Sequence, residues 1–250
     1  MADLKRGLTP HEHASRALAI MARRDRSNYR VAHMHLNKAC QLDPTYARPR
    51  AWLADWHCLL LRQHWTTDRT AEAGFVEREV QQAIRLDRTD PDVLVSLARF
   101  QSLVMRNHLD AAVTLDLAVQ KSPCSSAVHA IMGRVLSHLG HHADARDHIL
   151  LAKDFSLHDM ERASADRAMA SSSLLAGNYE DAVKYGRSAR ERCPNDRSNL
   201  IVLIRGCYAT GRTDEISILL PQIDAMAHLS DIICYELYQN KSVPEHTFVW

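Results

Sequence analysis

Small residues recur in this chain at intervals of about 34 positions. Gly133, Ala145 and Ala152 lie in the stretch 126–157, where apolar side chains follow helical spacing on both sides of a break at Gly140. The same small residues return one period earlier and one period later, at Ala111, Ala118, Ala182 and Ala189. A single hairpin of this size cannot bury its own apolar face, so the copies must stack on one another.

The recurrence has a physical reason, because only Gly or Ala lets two helices cross at the short end of the usual interaxial distance. The period, the small residues, and the prolines at Pro123 and Pro194 resemble the tetratricopeptide repeat (TPR). The resemblance implies an all-α fold, a right-handed α-solenoid of about six TPR-like hairpins with a C-terminal capping helix.

Composition agrees with one helical domain. The chain has 250 residues, of which 46% are apolar, and its 8 Gly and 8 Pro leave little room for an all-β fold. We expect an N-terminal lead-in at 1–12, with a helix start at Thr9-Pro10, then a solenoid at 13–238 and a C-terminal tail at 239–250. The sixth hairpin departs from the pattern, with Pro221 predicted to interrupt its second helix, and a short helix near 230–238 is expected to cap the apolar end.

Neither export nor membrane insertion is indicated by the sequence. The first residues are charged, and no run of 18 apolar residues occurs. The six cysteines lie far apart without a CxxC pair, which favours buried free thiols in a reducing compartment. We therefore expect a cytoplasmic protein.

The second hairpin is the irregular one. Ala39 and Ala83 hold equivalent places but lie 44 positions apart, and the excess falls near 64–75, where it either protrudes as a loop or lengthens the paired helices. The densest aromatic cluster is nearby and includes Trp52 and Trp56. Large aromatic side chains of this kind serve either the core or a binding surface, and the sequence leaves both readings open.

The region from Tyr29 to Glu215 has a more specific likeness. The segment LDPTYARPRAWLADWHCLLL, a tryptophan-bearing insertion and then EREVQQAIRLDRTDPDVLVSLARF resemble the C-terminal TPR region of bacterial signalling proteins. In that family the region follows a winged-helix domain in ToxR-like transcriptional regulators, or a catalytic domain in class III adenylate cyclases. The resemblance implies a regulatory module. These 250 residues include no such effector domain, so the module is either an excised part or stands alone.

The first helix of each hairpin is expected to line a concave groove. In TPR proteins the ninth position of each repeat faces that groove, and the twelfth lies beside it. Carried over to this chain, the ninth positions are Asp55, Arg99, Arg134, Ser171 and Arg205, and the twelfth positions include Ser102, Ser137 and Tyr208. Three arginines predict an anionic ligand, such as an acidic peptide, a terminal carboxylate or a small organic acid. The alternative is that these arginines pair with acids inside the array.

No catalytic motif is present, and the cluster of His138, His141, His142 and His148 is interrupted by Gly140, so we predict no enzyme, no cofactor and no metal. The preferred function is docking of a partner protein or peptide, or of a fused effector domain, in the groove or at the Trp52/Trp56 edge. The alternative is a sensor of a small anionic metabolite, which an enclosed cavity bounded by Trp52, Trp56 and Arg99 would favour. Nucleic-acid binding is disfavoured for this region, because the surplus of six positive charges in 1–50 fits a solvated helix face better.

Overall fold

The computed structural model describes residues 7–226, with side chains described up to 223, and the regular secondary structure of this part of the chain is helical. A single 3-10 turn at Arg26–Asn28 lies between the first two helices. The α-helices are α1 Pro10–Arg23, α2 Tyr29–Leu42, α3 Ala47–Gln63, α4 Arg69–Leu86, α5 Pro91–Leu103, α6 His108–Lys121, α7 Ser126–His138, α8 His142–Asp154, α9 Asp159–Leu175, α10 Tyr179–Arg192, α11 Arg197–Ala209 and α12 Thr213–Met226.

Consecutive helices pair as hairpins, from α1/α2 to α11/α12, and each hairpin packs on the next. The last three hairpins turn at Gly140, Gly177 and Gly211, whose φ angles of 82°, 76° and 71° lie in the left-handed region that glycine adopts without strain. Helix starts are capped by side chains, as at Thr9, which forms a reciprocal capping box with Glu12. The predicted all-α solenoid of helical hairpins is confirmed.

The small residues lie at the helix crossings, as predicted. A Cβ atom at Gly133 would stand 2.4 Å from Ile149 Cγ1 and 2.8 Å from the Ala145 carbonyl oxygen, so α7 and α8 approach too closely for any side chain there. Ala145 and Ala152 are fully buried at the same seam. The other recurring alanines are equally inaccessible, namely Ala39, Ala83, Ala98, Ala111, Ala118, Ala170 and Ala182.

The structure shows how the two irregular hairpins fold. In the second, α3 and α4 extend to 17 and 18 residues, so the excess near 64–75 lengthens the paired helices and leaves a short connection at 64–68. In the sixth, α12 continues through Pro221, and the predicted interruption is wrong. The Pro221 side chain is exposed, while Ile216 and Ile223 on the other face are buried against α11 and hold the helix in place.

The ends of the chain were predicted in less detail. Because α1 begins at Pro10, the last residues of the expected lead-in are helical. The expected capping helix near 230–238 and the tail at 239–250 lie outside the described residues. Within the described part, no helix combines the length and apolar character needed to cross a membrane.

The first helices of hairpins two to six form a closed series. Each of α3, α5, α7, α9 and α11 packs against the next, and α11 returns to contact α3. We call this arrangement the ring. The side of these helices that faces the centre of the ring is its inner surface, and it holds the candidate site.

Candidate functional site

The ring is closed by hydrogen bonds between residues more than 130 positions apart. Gln63, at the end of α3, is completely buried. Its amide nitrogen donates to Asp196 Oδ1 at 2.9 Å, and its Oε1 accepts from the Arg197 backbone N–H at 2.9 Å. The Ser198 hydroxyl donates to the Arg62 carbonyl oxygen at 3.4 Å. These bonds fix the end of α3 against the start of α11.

Asp196 is the carboxylate at the centre of this closure, and it is only 3% exposed. Its Oδ2 lies 3.3 Å from Arg24 Nη1 and 3.1 Å from Arg167 Nε. Burial alone would raise the pKa of Asp196, but Arg24, Arg167 and Arg62 together lower it far below its ordinary value. The side chain therefore stays ionised, and it also caps α11 by accepting from the Ser198 N–H at 3.1 Å.

Two further arginines near this carboxylate have no acid of their own. Among the described residues, the guanidinium groups of Arg62 and Arg134 make no ion pair or hydrogen bond. Burial, together with the neighbouring cations Arg167 and Arg99, lowers the pKa of Arg134 to about 9. Burial, then Arg167, Arg24 and Arg134, likewise lower the pKa of Arg62 well below its ordinary value. We call Arg24, Arg62, Arg134 and Arg167 the arginine cluster.

Some donors of the arginine cluster remain unused. Arg24 Nε and Arg62 Nη2 are buried nitrogen atoms without a hydrogen-bond acceptor in the described part of the chain. Leaving such charged donors unsatisfied is costly in a protein interior. The cluster carries four positive charges around one carboxylate, so the inner surface of the ring is strongly electropositive.

Arg99 behaves differently from Arg134, although both occupy ninth positions. Arg99 Nη1 donates a short hydrogen bond to Asp55 Oδ2, which joins α5 to α3. This pair follows the alternative prediction, in which the arginines pair with acids inside the array. Asp55 and Arg99 thus contribute to the ring itself, and Arg99 adds positive charge beside Arg134.

The remaining predicted groove residues are spread along the ring. Arg205 on α11 is half-buried, and burial lowers its pKa, with Tyr179 acting in the opposite direction. Ser171 on α9 is half-buried, and Tyr208 on α11 is 62% exposed. Ser137 is buried and donates to the Gly133 carbonyl oxygen of its own helix at 2.7 Å. The Ser102 hydroxyl on α5 lies 3.0 Å from His108 Nδ1 at the start of α6.

The aromatic edge does not form a binding surface around Trp56. This indole stacks on Tyr29 with ring centroids 5.2 Å apart, and its Nε1 donates to the Tyr29 carbonyl oxygen at 2.9 Å. The Tyr29 hydroxyl in turn donates to the Trp56 carbonyl oxygen at 3.2 Å. Trp52 is half-buried and lies edge-on to Tyr46. Trp56 is therefore a core residue, which is one of the two readings that the sequence left open.

Sequence reasoning missed Arg24, Arg62, Arg167 and Asp196. A signal existed for two of them, because Arg62 follows Asp55 by two helical turns and Arg167 precedes Ser171 by one turn, which places each on the face of a predicted groove position. Arg24 and Asp196 lie at helix ends and have no periodic signal.

Two histidines of the predicted surface cluster, His138 and His148, pair with histidines outside it. His138 stacks on His108 with ring centroids 4.7 Å apart, and His148 Nδ1 lies 2.8 Å from His129 Nδ1. Over residues 7–223, no group of three or more His, Cys, Asp or Glu side chains has an arrangement suited to a metal ion. Of the cysteines in this range, Cys40, Cys58, Cys193 and Cys207 are buried free thiols and Cys124 is exposed.

Comparison with solved structures identifies the fold. The type IV pilus biogenesis factor PilW matches with a TM-score of 0.57 and 15% identity, over 88% of this chain and 94% of that one. A thermophilic TPR protein of Thermus thermophilus matches with a TM-score of 0.58 and 16% identity, over 81% and 99%. Human IFIT1, solved as a dimer with m7Gppp-AAAA, matches with a TM-score of 0.68 and 16% identity, over 95% of this chain and 57% of that one.

No protein-family model and no curated protein matches the sequence. At these identities the structural likenesses establish the fold, a helical solenoid of TPR type.

Proposed function

We propose that this chain is a non-catalytic interaction module that binds an acidic segment of a partner protein or peptide at the inner surface of the ring. One observation carries the proposal: the guanidinium of Arg134 lies on this surface without an acid partner among the described residues, within a surplus of positive charge. Carboxylates of a partner would supply the missing counter-charge through charge-assisted hydrogen bonds.

Electrostatics makes the inner surface suited to this role. A concave surface lined by one sign of charge concentrates its field and attracts ligands of the opposite sign. Unpaired buried charges lower the stability of a fold, so a chain that keeps them is expected to use them. Helical solenoids are also well suited to binding, because their curvature creates an extended concave surface.

The cellular setting is a proposal that rests on sequence resemblance. The likeness of 29–215 to the TPR regions of ToxR-like regulators and class III adenylate cyclases supports a cytoplasmic regulatory role in bacterial signalling or transcription. In that setting, a fused or separate effector domain is the partner. A bacterial two-hybrid assay of this chain against winged-helix and cyclase domains encoded beside it tests the setting, and absence of any interaction would contradict it.

A small-molecule sensor is the second candidate. The closure of α3 against α11 favours it, because a closed ring limits the size of a ligand that reaches Arg62 and Arg134. IFIT1 offers a structural precedent, since that protein was solved with PPP-AAAA as well as with m7Gppp-AAAA. For this chain the precedent supports only the idea that a solenoid of this type accommodates an anion.

The test compares labelled peptides of opposite charge. Fluorescence anisotropy is measured with a fluorescein-labelled Glu/Ser decapeptide and with its Lys/Ser counterpart, on the wild-type chain and on Arg134→Glu. We expect the acidic peptide to bind and the variant to weaken its binding by about tenfold or more, a loss of about 1.4 kcal/mol. Arg146→Glu, an exposed position on α8, is the matched control and should bind like the wild type. Equal binding of both peptides, or equal loss in both variants, would refute the proposal.

A further inference from the structure

We propose that the arginine cluster, Arg24, Arg62, Arg134 and Arg167, is a binding site for a phosphoryl group. The inference rests on the proposed function, because it names the ligand chemistry of the same electropositive surface. It goes further by distinguishing a phosphoryl oxyanion from a carboxylate, and the structure contains three observations that favour this choice.

The first observation is that the resident carboxylate is fully engaged. Asp196 Oδ1 accepts from the Gln63 amide at 2.9 Å and from the Ser198 N–H at 3.1 Å. Its Oδ2 faces Arg24 and Arg167 at 3.3 and 3.1 Å. Asp196 therefore makes no hydrogen bond or close ion pair with Arg62 or Arg134, and the unused nitrogen atoms Arg24 Nε and Arg62 Nη2 need further acceptor oxygen atoms.

The second observation is the size of the charge surplus. Four guanidinium groups around one carboxylate leave three positive charges uncompensated in a poorly solvated region. A carboxylate supplies one negative charge and two oxygen atoms. A phosphoryl group supplies about 1.5 to 2 negative charges at neutral pH and three strong acceptor oxygens, which matches the surplus more closely. Arginine is also the side chain best shaped for bidentate contact with phosphate.

The third observation is that helix packing fixes the backbone positions of the four arginines before any ligand binds, and that Asp196 also holds the side chains of Arg24 and Arg167. They come from four separate segments: the C-cap of α1, the last turn of α3, the middle of α7 and the middle of α9. The hydrogen bonds of Gln63 to Asp196 and to the Arg197 backbone join the far ends of this arrangement. A site assembled in advance binds more tightly, because less conformational entropy is lost on binding.

The phosphoryl group could be supplied by a free phosphate compound or by a phosphorylated side chain of a partner. Both present the same oxygen atoms to the cluster, so the experiment uses one probe for each. Pyrophosphate represents the free compound, and a phosphoserine decapeptide represents the modified partner. Citrate and the Glu/Ser decapeptide are the carboxylate comparisons, matched for total charge and used at constant ionic strength because exposed charges are screened by salt.

Binding to the full chain is measured by isothermal titration calorimetry, with thermal unfolding in parallel. We expect one phosphoryl probe to bind at least about tenfold more tightly than its carboxylate counterpart and to raise the melting temperature by mass action. Arg62→Gln and Arg134→Gln should each reduce this affinity about tenfold or more. Arg146→Gln on the outer surface is the control and should leave the affinity unchanged.

The variants also control for misfolding. Neither Arg62 nor Arg134 has an ion pair to lose among the described residues, so both variants should unfold at or above the wild-type temperature without ligand. If citrate and the Glu/Ser peptide bind as tightly as the phosphoryl probes, the site responds to charge alone; this inference then fails and the proposed function stands. If no anion binds, or if Arg146→Gln loses as much affinity as Arg134→Gln, both fail.

Discussion

The helix crossings and the centre of the ring follow opposite principles of construction. At the crossing of α7 and α8, Gly133 and Ala145 bring two helices so close that a single added carbon atom would overlap Ile149. At the centre of the ring, four arginines surround Asp196, and some of their nitrogen atoms have no acceptor among the described residues. The crossings maximise close packing, which stabilises the fold. The centre retains buried charge at a cost in stability, which is typical of a functional surface.

Among substitutions at the helix crossings and at the centre of the ring, Asp196→Asn is expected to have the largest effect on stability. The substitution keeps the shape of the side chain but leaves the arginines without their carboxylate, which should lower the free energy of unfolding by about 3–5 kcal/mol. Urea unfolding followed by circular dichroism measures the change. Asp68→Asn is the matched control, because Asp68 caps α4 as Asp196 caps α11 but is exposed, and asparagine caps equally well. Similar losses in the two variants would show that the ion pairs with the arginines do not account for the importance of Asp196.

A smaller loss is expected at the crossings. Gly133→Ala places a Cβ atom 2.4 Å from Ile149 Cγ1 and 2.8 Å from a backbone oxygen, so α7 and α8 must move apart. Overpacking of this kind costs about 1–3 kcal/mol. Gly74→Ala on α4 meets nothing within 4 Å and should instead gain about 0.5–1 kcal/mol from helix propensity. A neutral result at Gly133 would mean that the crossing is looser than the structure indicates.

At the centre of the ring, one substitution is expected to increase the stability of the fold. Arg62→Met removes a half-buried cation that other cations surround, and should raise the free energy of unfolding by about 1–2 kcal/mol while abolishing anion binding. Chemical denaturation without added anion gives the measurement. Arg16→Met on the exposed face of α1 controls for the general effect of removing one positive charge. A loss of stability in Arg62→Met would argue that this arginine is structural.

The smallest expected effect is on the pH dependence of stability. Partial burial and the neighbouring His108 lower the pKa of His138 to about 4, whereas unfolded histidine titrates near 6.5. Because the unfolded state binds the proton more readily, the contribution to stability is complete above pH 6.5 and is lost as pH falls from 6.5 to about 4. His138 is substantially exposed, so we expect no more than about 1 kcal/mol. His138→Gln should make the free energy of unfolding less dependent on pH between these values. His141 is exposed at the next turn, and His141→Gln should leave this pH dependence unchanged.

The repeat architecture could be predicted from the sequence because its causes are local. Gly133 and the recurring alanines mark the helix crossings, and Gly140, Gly177 and Gly211 mark the turns, since small size and left-handed backbone geometry leave their trace in residue identity. The prediction failed at Pro221, where burial of Ile216 and Ile223 against α11 outweighs the preference of proline to end a helix.

The candidate site was only partly within reach of the sequence. Position within the repeat predicted Asp55, Arg99 and Arg134 as inner residues, but it could not show that Asp55 neutralises Arg99 while Arg134 stays without an acid partner in the described residues. Trp56 shows the same limit, because burial against Tyr29 depends on how α1, α2 and α3 pack. Local pattern reports which face of a helix a side chain occupies, and it does not report the partners that other helices supply.

By itself, the sequence determined a stack of helical hairpins, because small residues at fixed intervals leave few other ways to bury the apolar faces. Only the tertiary structure decided that the stack closes into a ring. That closure depends on Gln63 meeting Asp196 and Arg197 across more than 130 residues, and on the resulting enclosure of Arg24, Arg62, Arg134 and Arg167. The curvature of a solenoid is the sum of many small rotations between hairpins, and no single residue pattern encodes that sum.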